Sequence, residues 1–493
     1  MHLISAMTGN GRVIVIGGGL TGLVCAYRLR QRGMPVLLLE AGAQPGGMVN
    51  TVEKNGFLFE AGPQVPRFPS ALWQLVLELG LEPDFVPGDS RVPRYILKNG
   101  RLHRAPLSPM AFLSTRLIGM GSKIRLLTEP LRRSHPSSGE ESLADFVRRK
   151  FDADVLDYLV DPFISAVFGG DAEKMGVASA FPFLERWDRE GSLLAGAIRS
   201  RKRGTGADSG EQPPRQMHRS ASMGVTDSLP TLGNFRSGLA AIPNKLAERL
   251  GDSVRVGSRA ESIEPIPSAE GRGSEWRVRL KDDKYLEATQ IVIAAPAYEA
   301  ARLLTTVAPS LSRALAKISY APMAVVSSGY ERSQLGHSLD GFGVLIPRRE
   351  KLNTIFQVWN SSLLPGRAPA GKVLVTSYAG GAINPKFVEK DEDEIARTVE
   401  AEMAGVLGIT GAPSDRVVWK HAQALPQYNV GRAQIVAEIR KSAEALRGVH
   451  LAGNYLEGRS LGDCVESGWR TADEVEHQIA GEADRRGLEQ AFR

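Results

Sequence analysis

The sequence predicts an α/β fold whose parallel sheet draws strands from both ends of the chain, with an α+β region and a mainly helical region inserted between them. Three observations predict it. Near the start, a short apolar strand, Val13–Ile16, runs into a glycine turn and then a helix from Leu20 to about residue 32. The run 291–295, closed by Pro296, is apolar throughout and reads as a parallel strand buried on both faces. Near the end, 448–454 reads as a last strand, followed by a helix over 463–479. A strand–glycine–helix unit at each end places both ends in one domain.

The first unit is the most specific. Gly17, Gly18, Gly19, Leu20, Thr21 and Gly22 follow the strand directly, and Glu40 closes the next short strand, Val36–Leu39. Gly17 allows the sharp exit from the strand, Gly19 leaves room for a phosphate against the backbone, and Gly22 lets the helix pack close to the sheet. The helix start then offers unpaired amides and its positive dipole end to that phosphate. A carboxylate roughly 20 residues on is placed to accept ribose hydroxyls. Strand, turn, helix and acid together predict a Rossmann-like domain that binds a dinucleotide. No second strand–GxGxxG–helix unit follows, so electrons are expected to leave to oxygen, a quinone or another small acceptor rather than to a nicotinamide.

The rest of the chain divides by pattern. We expect the first part of the nucleotide domain over 1–65, a mostly helical region over 66–245, the second part of the nucleotide domain over 246–300, a β-rich region over 301–420, and the closing part over 421–493. Within the helical region, 70–79 and 142–163 carry helical periodicity. Segment 199–219 has six Lys or Arg against two acids among Gly, Ser, Pro and Gln, and reads as an exposed loop or insert.

Bulk numbers limit the function classes. With 493 residues, 42% hydrophobic and 24% charged, the composition is that of a folded protein of two or three domains. A net charge of +6 is too mild for a dedicated nucleic-acid binder and suits an anionic substrate or membrane surface. Two cysteines, Cys25 and Cys464, make neither a disulfide framework nor a metal motif. No secretory leader is expected before Val13, and no apolar stretch is long enough to span a bilayer. A cytoplasmic location is expected, with peripheral contact on the inner face of the cell membrane left open. Lys123, Arg125, Arg132 and Arg133 read either as a solvated basic face or as a membrane-facing one.

Further motifs carry a family resemblance. Glu40-Ala-Gly-Ala-Gln-Pro-Gly46-Gly47-Met48, the loop Phe57-Leu-Phe-Glu-Ala-Gly62-Pro63-Gln64 and the closing segment 451–468 resemble the fingerprints of the FAD-dependent amine oxidase superfamily. The cofactor implied is FAD. The residues implied to bind it are Gly17 to Gly22, Glu40, Gly46, Gly47, Met48, Gly62, Pro63, Gln64, Ala260, Gly453, Asn454, Gly462, Asp463, Cys464 and Val465. Met48 stands where an arginine often follows the glycine pair. Cys464 reads as a small residue beside the cofactor rather than a covalent attachment point.

In the middle of the chain, 161–175, 180–182, 235–243, 341–347 and 361–369 resemble the protoporphyrinogen/coproporphyrinogen oxidase family in order and spacing. This implies oxidation of a porphyrinogen to the porphyrin in haem biosynthesis, by three two-electron hydride transfers to the flavin, with oxygen as acceptor. No side-chain acid or base is then required for the chemistry. The resemblance implies substrate contacts at Arg94, whose guanidinium would pair a propionate, at Leu345 and Leu364, which would sandwich the ring, and at Gly169 and Gly170, whose carbonyls would meet pyrrole N–H groups. Leu364 replaces an aromatic seen in some members. Arg67, Arg91 and Arg367 are candidates for binding the extra carboxylates that distinguish coproporphyrinogen III from protoporphyrinogen IX. A homodimer is left open. Rival readings are an amine oxidase, a carotenoid desaturase, or a flavin-binding protein without turnover. His103, His421, Trp359 and Asn360 read as packed or hydrogen-bonded residues rather than chemical ones.

Overall fold

A computed structural model describes residues 12–132, 139–202, 232–266 and 275–491. Arg133 and residues 203–219 of the basic segment lie outside the described residues; residues 199–202 end a helix, Leu193–Lys202.

The parallel sheet has five strands in the order Val449–Leu451, Gln290–Ile293, Val13–Ile16, Val36–Leu39, Val254–Arg255. Ile14 lies between Ile291 and Leu37 in register. Alternate side chains enter opposite layers, as the pleat requires. Val13 and Val15 pack with the helices Leu20–Gln31, Ser70–Leu79, Ala241–Leu250 and Leu461–Ala491. Ile14 and Ile16 pack with a three-stranded antiparallel sheet, Ala260–Ile266, Glu275–Leu280 and Tyr285–Ala288, and with the helices Ala297–Leu303, Pro309–Ala316 and Arg432–Ala443. Coverage on both faces explains why these strands are apolar throughout rather than alternating.

The second body is a seven-stranded sheet in the order Asp415–Pro426, Tyr320–Glu331, Lys372–Gly380, Thr354–Val358, Gly343–Leu345, Arg94–Lys98, Arg101–Arg104. Its only parallel pair is Gly343–Leu345 with Arg94–Lys98. The last two strands come from the region expected to be helical. They are joined by Asn99-Gly100, both at positive φ (53° and 70°), which matches the two-residue turn that fits the twist of a hairpin. Region 66–245 is therefore not one unit: its hairpin completes the sheet, and Phe85–Pro87 pairs with Gly233–Phe235.

A helical layer packs against this sheet. The expected single helix over 142–163 is broken into Leu143–Lys150, Ala153–Val155, a π-helical turn Leu156–Val160, and Asp161–Phe168. Asp152 restarts the chain by accepting a hydrogen bond from the Val155 amide (3.1 Å), and Pro162, which has no N–H, follows the π turn. The helix Met120–Leu127 also departs from expectation. Lys123 is buried and donates to the Leu113 carbonyl (2.7 Å), so the exposed face carries Met120, Ile124 and Leu127 alongside Arg125. Among the described residues no helix is long and apolar enough to cross a membrane.

Candidate functional site: a dinucleotide cradle beside an apolar wall

Two glycine turns meet at the carboxyl ends of the central strands. Gly17 leaves its strand at φ +111°, a conformation that residues with a side chain rarely adopt. The Gly46 amide donates to the Gly18 carbonyl (2.8 Å), which brings Gly46 and Gly47 against Gly18 and Gly19. A Cβ at Gly22 would run into the Gly17 carbonyl, so helix and turn touch through backbone alone. A Cβ at Gly19 would meet nothing. The helix Leu20–Gln31 has no side-chain cap and no acid in its first turn, leaving its leading amides to a ligand. Glu40 is held at the strand end by the Gly18 amide on Oε2 (2.7 Å) and the Gly42 amide on Oε1 (2.6 Å). Each oxygen keeps acceptor capacity for ribose hydroxyls. This open space, these uncapped amides and this fixed carboxylate fit a dinucleotide.

The other expected cofactor residues fall in different settings. Gly257 and Ser258 donate their amides to the Gly42 and Glu40 carbonyls (both 2.8 Å). Ala260, two residues on, is turned into the apolar layer beneath, and its carbonyl accepts from Arg302 (2.6 Å); the acidic strand end is met by its neighbours instead. In the closing segment the Gly453 amide donates to Ser467 Oγ (3.3 Å), with Asn454 half-buried beside it. Asp463 and Ser460 cap one another's amides (2.7 and 3.0 Å), so the Asp463 carboxylate serves the first turn of the last helix, Leu461–Ala491, which also holds Gly462. Val465 is fully buried and Cys464 half-buried against the first helix; burial pushes the Cys464 thiol up to about 11, so it stays protonated.

The turn after Phe57–Glu60 is fixed from below by a buried polar network. Gln64 donates to the Glu60 and Gly62 carbonyls (3.1 and 3.0 Å) and accepts from Asn360 (2.6 Å). Its side chain thus shapes the turn that presents Gly62 and Pro63. Tyr378 donates its hydroxyl to the Gly62 carbonyl (2.6 Å), and His421 Nε2 lies 3.0 Å from the Ala61 carbonyl. Glu60, 2% exposed, accepts from Thr51 (2.6 Å), Asn234 (2.9 Å) and the Leu239 amide (3.0 Å), with Arg367 at 3.5 Å. Burial raises the Glu60 carboxyl above its ordinary range, against the pull of these donors and Arg367. Arg367 also donates to the Phe235 carbonyl (2.8 Å) and is itself 2% exposed. It is therefore a buried partner of Glu60 rather than a receptor for substrate carboxylates. Arg91 is exposed on Asp89 (3.0 Å), and Arg67 is exposed.

Beside this turn stands an apolar wall. Met323, Val325, Ile355, Leu363, Leu364 and Tyr378 form its buried part; Met48, Phe342, Phe356 and Leu425 pack against it. Phe356 and Tyr378 stack at 4.1 Å, an aromatic pair the sequence reading missed, since Lys372–Gly380 is buried on both faces and shows no alternation. Met48 contributes bulk to this wall where an arginine would bring charge. The Arg94 guanidinium lies over Phe342 (5.0 Å) and reaches the Ser90 carbonyl (3.5 Å). Leu345 packs toward the helical layer with Ile164 and Phe168, so the two candidate leucines belong to different clusters. Gly169 ends the helix Asp161–Phe168, and its carbonyl already accepts from the Ala382 amide (2.7 Å). Gly170 is buried against Met175, Gln427 and Ile164. Behind it Arg348 clamps Asp171 (2.6 Å) and Asp161 (3.0 Å), which fixes this corner from the sheet side. Trp359 is fully buried and Asn360 serves Gln64; His103 is half-buried on the hairpin.

A single dinucleotide cradle joined to an antiparallel-sheet domain defines a nucleotide-dependent oxidoreductase. Residues 20–476 match the family of flavin containing amine oxidoreductases, to which the chain belongs, on the branch of the protoporphyrinogen and coproporphyrinogen oxidases, and FAD is its cofactor. Protoporphyrinogen oxidase 1, chloroplastic, of Arabidopsis thaliana is 32% identical over 484 residues, covering 94% of this chain and 87% of that protein. Coproporphyrinogen III oxidase of Bacillus subtilis (strain 168) is 28% identical over 479 residues, covering 93% and 97%. A crystal structure from Exiguobacterium, named as a candidate protoporphyrinogen oxidase, shares the fold with a TM-score of 0.78 at 22% identity, covering 95% of this chain and 99% of that one.

Proposed function

We propose that this enzyme oxidises a porphyrinogen to the corresponding porphyrin in haem biosynthesis, with oxygen as the final acceptor. The observation that carries the reading is Arg94 over Phe342 at the border of an apolar wall that is tied, through Tyr378 and Gly62, to the cofactor-side turn. A flat apolar ring with carboxylate arms suits that arrangement: the wall takes the ring, and the guanidinium fork takes a carboxylate. FAD, when bound, supplies the two-electron hydride acceptor for each of the three steps. The chain supplies orientation. Gln64, Asn360 and Tyr378 hold the turn, and Phe356 and Tyr378 offer a stacked face. The names of the relatives support this substrate class. In an anaerobic cuvette, porphyrinogen should bleach the flavin, and porphyrin fluorescence should grow when air is admitted. Absence of bleaching by both protoporphyrinogen IX and coproporphyrinogen III would overturn the reading. Arg94→Ala should raise KM roughly 10- to 100-fold, the worth of a charge-assisted hydrogen bond, with flavin content unchanged.

A peripheral membrane contact has its own support. Leu107 (65% exposed), Met110 (75%), Met120 (68%), Ile124 (56%), Leu127 (56%) and Leu131 (85%) are all open to solvent within one short stretch. Exposed apolar groups gathered in this way mark an interaction surface. Flotation with anionic vesicles tests it: Met120→Glu together with Ile124→Glu should abolish co-flotation, and loss of flavin with it would make the segment structural instead.

A further inference from the structure

Arg459 has no role in the reading so far, yet it stands in the closing segment between Gly458 and Ser460, the residue that caps the helix Leu461–Ala491. Its guanidinium carbon lies over Phe168, 3.8 Å from the ring centre, and the residue is half-buried. Among the described residues it has neither a hydrogen bond nor an ion pair. The acids around it are engaged elsewhere. Glu457 is bound to Arg470 (3.1 Å) and Arg440 (3.4 Å), and Asp463 to the Ser460 amide (2.7 Å). The neighbouring Arg432 shows the contrast: it lies on Tyr428 (3.9 Å) in the same aromatic group but also donates to the Tyr455 carbonyl (2.8 Å). A guanidinium held on an aromatic face, partly out of water, with Asp463 near but no ion pair formed, can receive a carboxylate or phosphate.

Its place relates it to the apolar wall. Phe168 is followed by Gly169, and a Cβ at Gly169 would fall 2.9 Å from Met323 Cε and 3.2 Å from Leu425 Cδ1. Met323 and Leu425 belong to the cluster that also holds Phe342, the ring under Arg94. Arg94 comes from the strand next to the edge of the seven-stranded sheet and Arg459 from the closing segment of the nucleotide domain. Two apolar clusters that adjoin at Gly169 are thus each met by a guanidinium group seated on a phenylalanine, from two different elements.

We propose that Arg459 is a second carboxylate receptor of the substrate site, and that the pair Arg94 and Arg459 favours a tetrapyrrole with carboxylates on several edges. This rests on the reading of the enzyme as a porphyrinogen oxidase. Protoporphyrinogen IX carries its two carboxylates on adjacent pyrroles, so it presents them along one edge. Coproporphyrinogen III carries one on each of its four pyrroles and can engage receptors that approach from different sides. The other anion within reach of this segment is the cofactor itself, and the test separates the two.

Arg459→Met keeps bulk against Phe168 and removes the charge; Arg459→Lys keeps the charge and loses the fork. Binding of the oxidised rings, coproporphyrin III and protoporphyrin IX, is measured on the holoenzyme by fluorescence quenching, beside steady-state turnover of both porphyrinogens. In Arg459→Met, coproporphyrin III affinity should fall roughly 10- to 100-fold and protoporphyrin IX affinity less than about threefold. The loss should appear in KM rather than kcat, with partial recovery in Arg459→Lys. Flavin content and midpoint potential should not change. Equal losses for both rings, or a wild-type preference for protoporphyrinogen IX, would overturn the proposal while leaving porphyrinogen oxidation intact. Loss of flavin or a shifted potential in Arg459→Met would also overturn it, by assigning the guanidinium to the cofactor. If the wild type neither binds these rings nor oxidises either porphyrinogen, the broader reading fails and this one with it.

Discussion

The parallel-sheet half and the antiparallel-sheet half present their ligand surfaces in opposite ways. In the first, the groups at the ligand are mostly backbone: the turn at Gly17 to Gly22, the turn at Gly46 and Gly47, and the uncapped helix amides, with Glu40 as the main polar side chain. In the second, under the proposed function, they are side chains: Arg94, Phe356 and Tyr378 from three strands, Phe342 just before a fourth and Leu364 just after a short helix. A backbone surface recognises a group common to many enzymes and tolerates little change. A side-chain surface can be altered residue by residue, which is where substrate choice resides.

That contrast can be broken or sharpened at several points. The largest effect is expected at the cradle: Gly22→Val drives a side chain into the Gly17 carbonyl and should leave less than about a tenth of the flavin, read from the ratio of flavin to protein absorbance. Full flavin in that variant would refute a backbone-built site. Next is the buried pair under the Gly62 turn. Arg367→Met leaves Glu60 without its cation and should cost about 3–5 kcal/mol in urea unfolding, with much of it regained on adding Glu60→Gln. An unchanged midpoint would mean the network does not support the boundary between the halves.

A smaller effect belongs to the parallel sheet. His450 is held neutral by burial beside Gln290 (2.8 Å), its titration depressed from 6.5 to about 4. Below pH 6.5 the unfolded chain takes up a proton that the folded chain refuses, so stability falls as pH drops from 6.5 to about 4, by roughly 3 kcal/mol at most. His450→Gln should remove that portion of the slope; identical pH profiles would count against it. The smallest change is Tyr378→Phe, which frees the Gly62 carbonyl and should cost about 1 kcal/mol, together with a shift in the flavin spectrum.

How much of this was legible in the sequence follows the same division. The cradle is local: strand, turn, helix and acid lie within 28 residues of one another, and Ser70–Leu79 and Val36–Leu39 form as their periodicity indicates. The Arg94–Lys98 hairpin carried its signal in Asn99-Gly100 and was obscured by helical patterns on either side. The support under the Gly62 turn was not legible, because Glu60 finds Asn234 and Arg367 at separations of 174 and 307 residues, and nothing in a local pattern marks such partners. Arg367 shows the cost of reading charge alone: an arginine near a substrate motif proved to be a buried structural cation. Lys123, likewise, reads as a surface charge until the Leu113 carbonyl is seen to take it.

The order of strands in the parallel sheet also sets a timetable. Its central strand, Val13–Ile16, is flanked by Val36–Leu39 and Gln290–Ile293, and the far edge beyond the latter is Val449–Leu451. At about 5–20 residues per second of synthesis, the early strand waits some tens of seconds for its far-side neighbours. During that interval its apolar faces lack the layers that later bury them, which leaves this half of the molecule open to aggregation until they arrive. The antiparallel half, whose strands mostly follow one another between residues 320 and 426, can close earlier and give the incomplete sheet a surface to lean on.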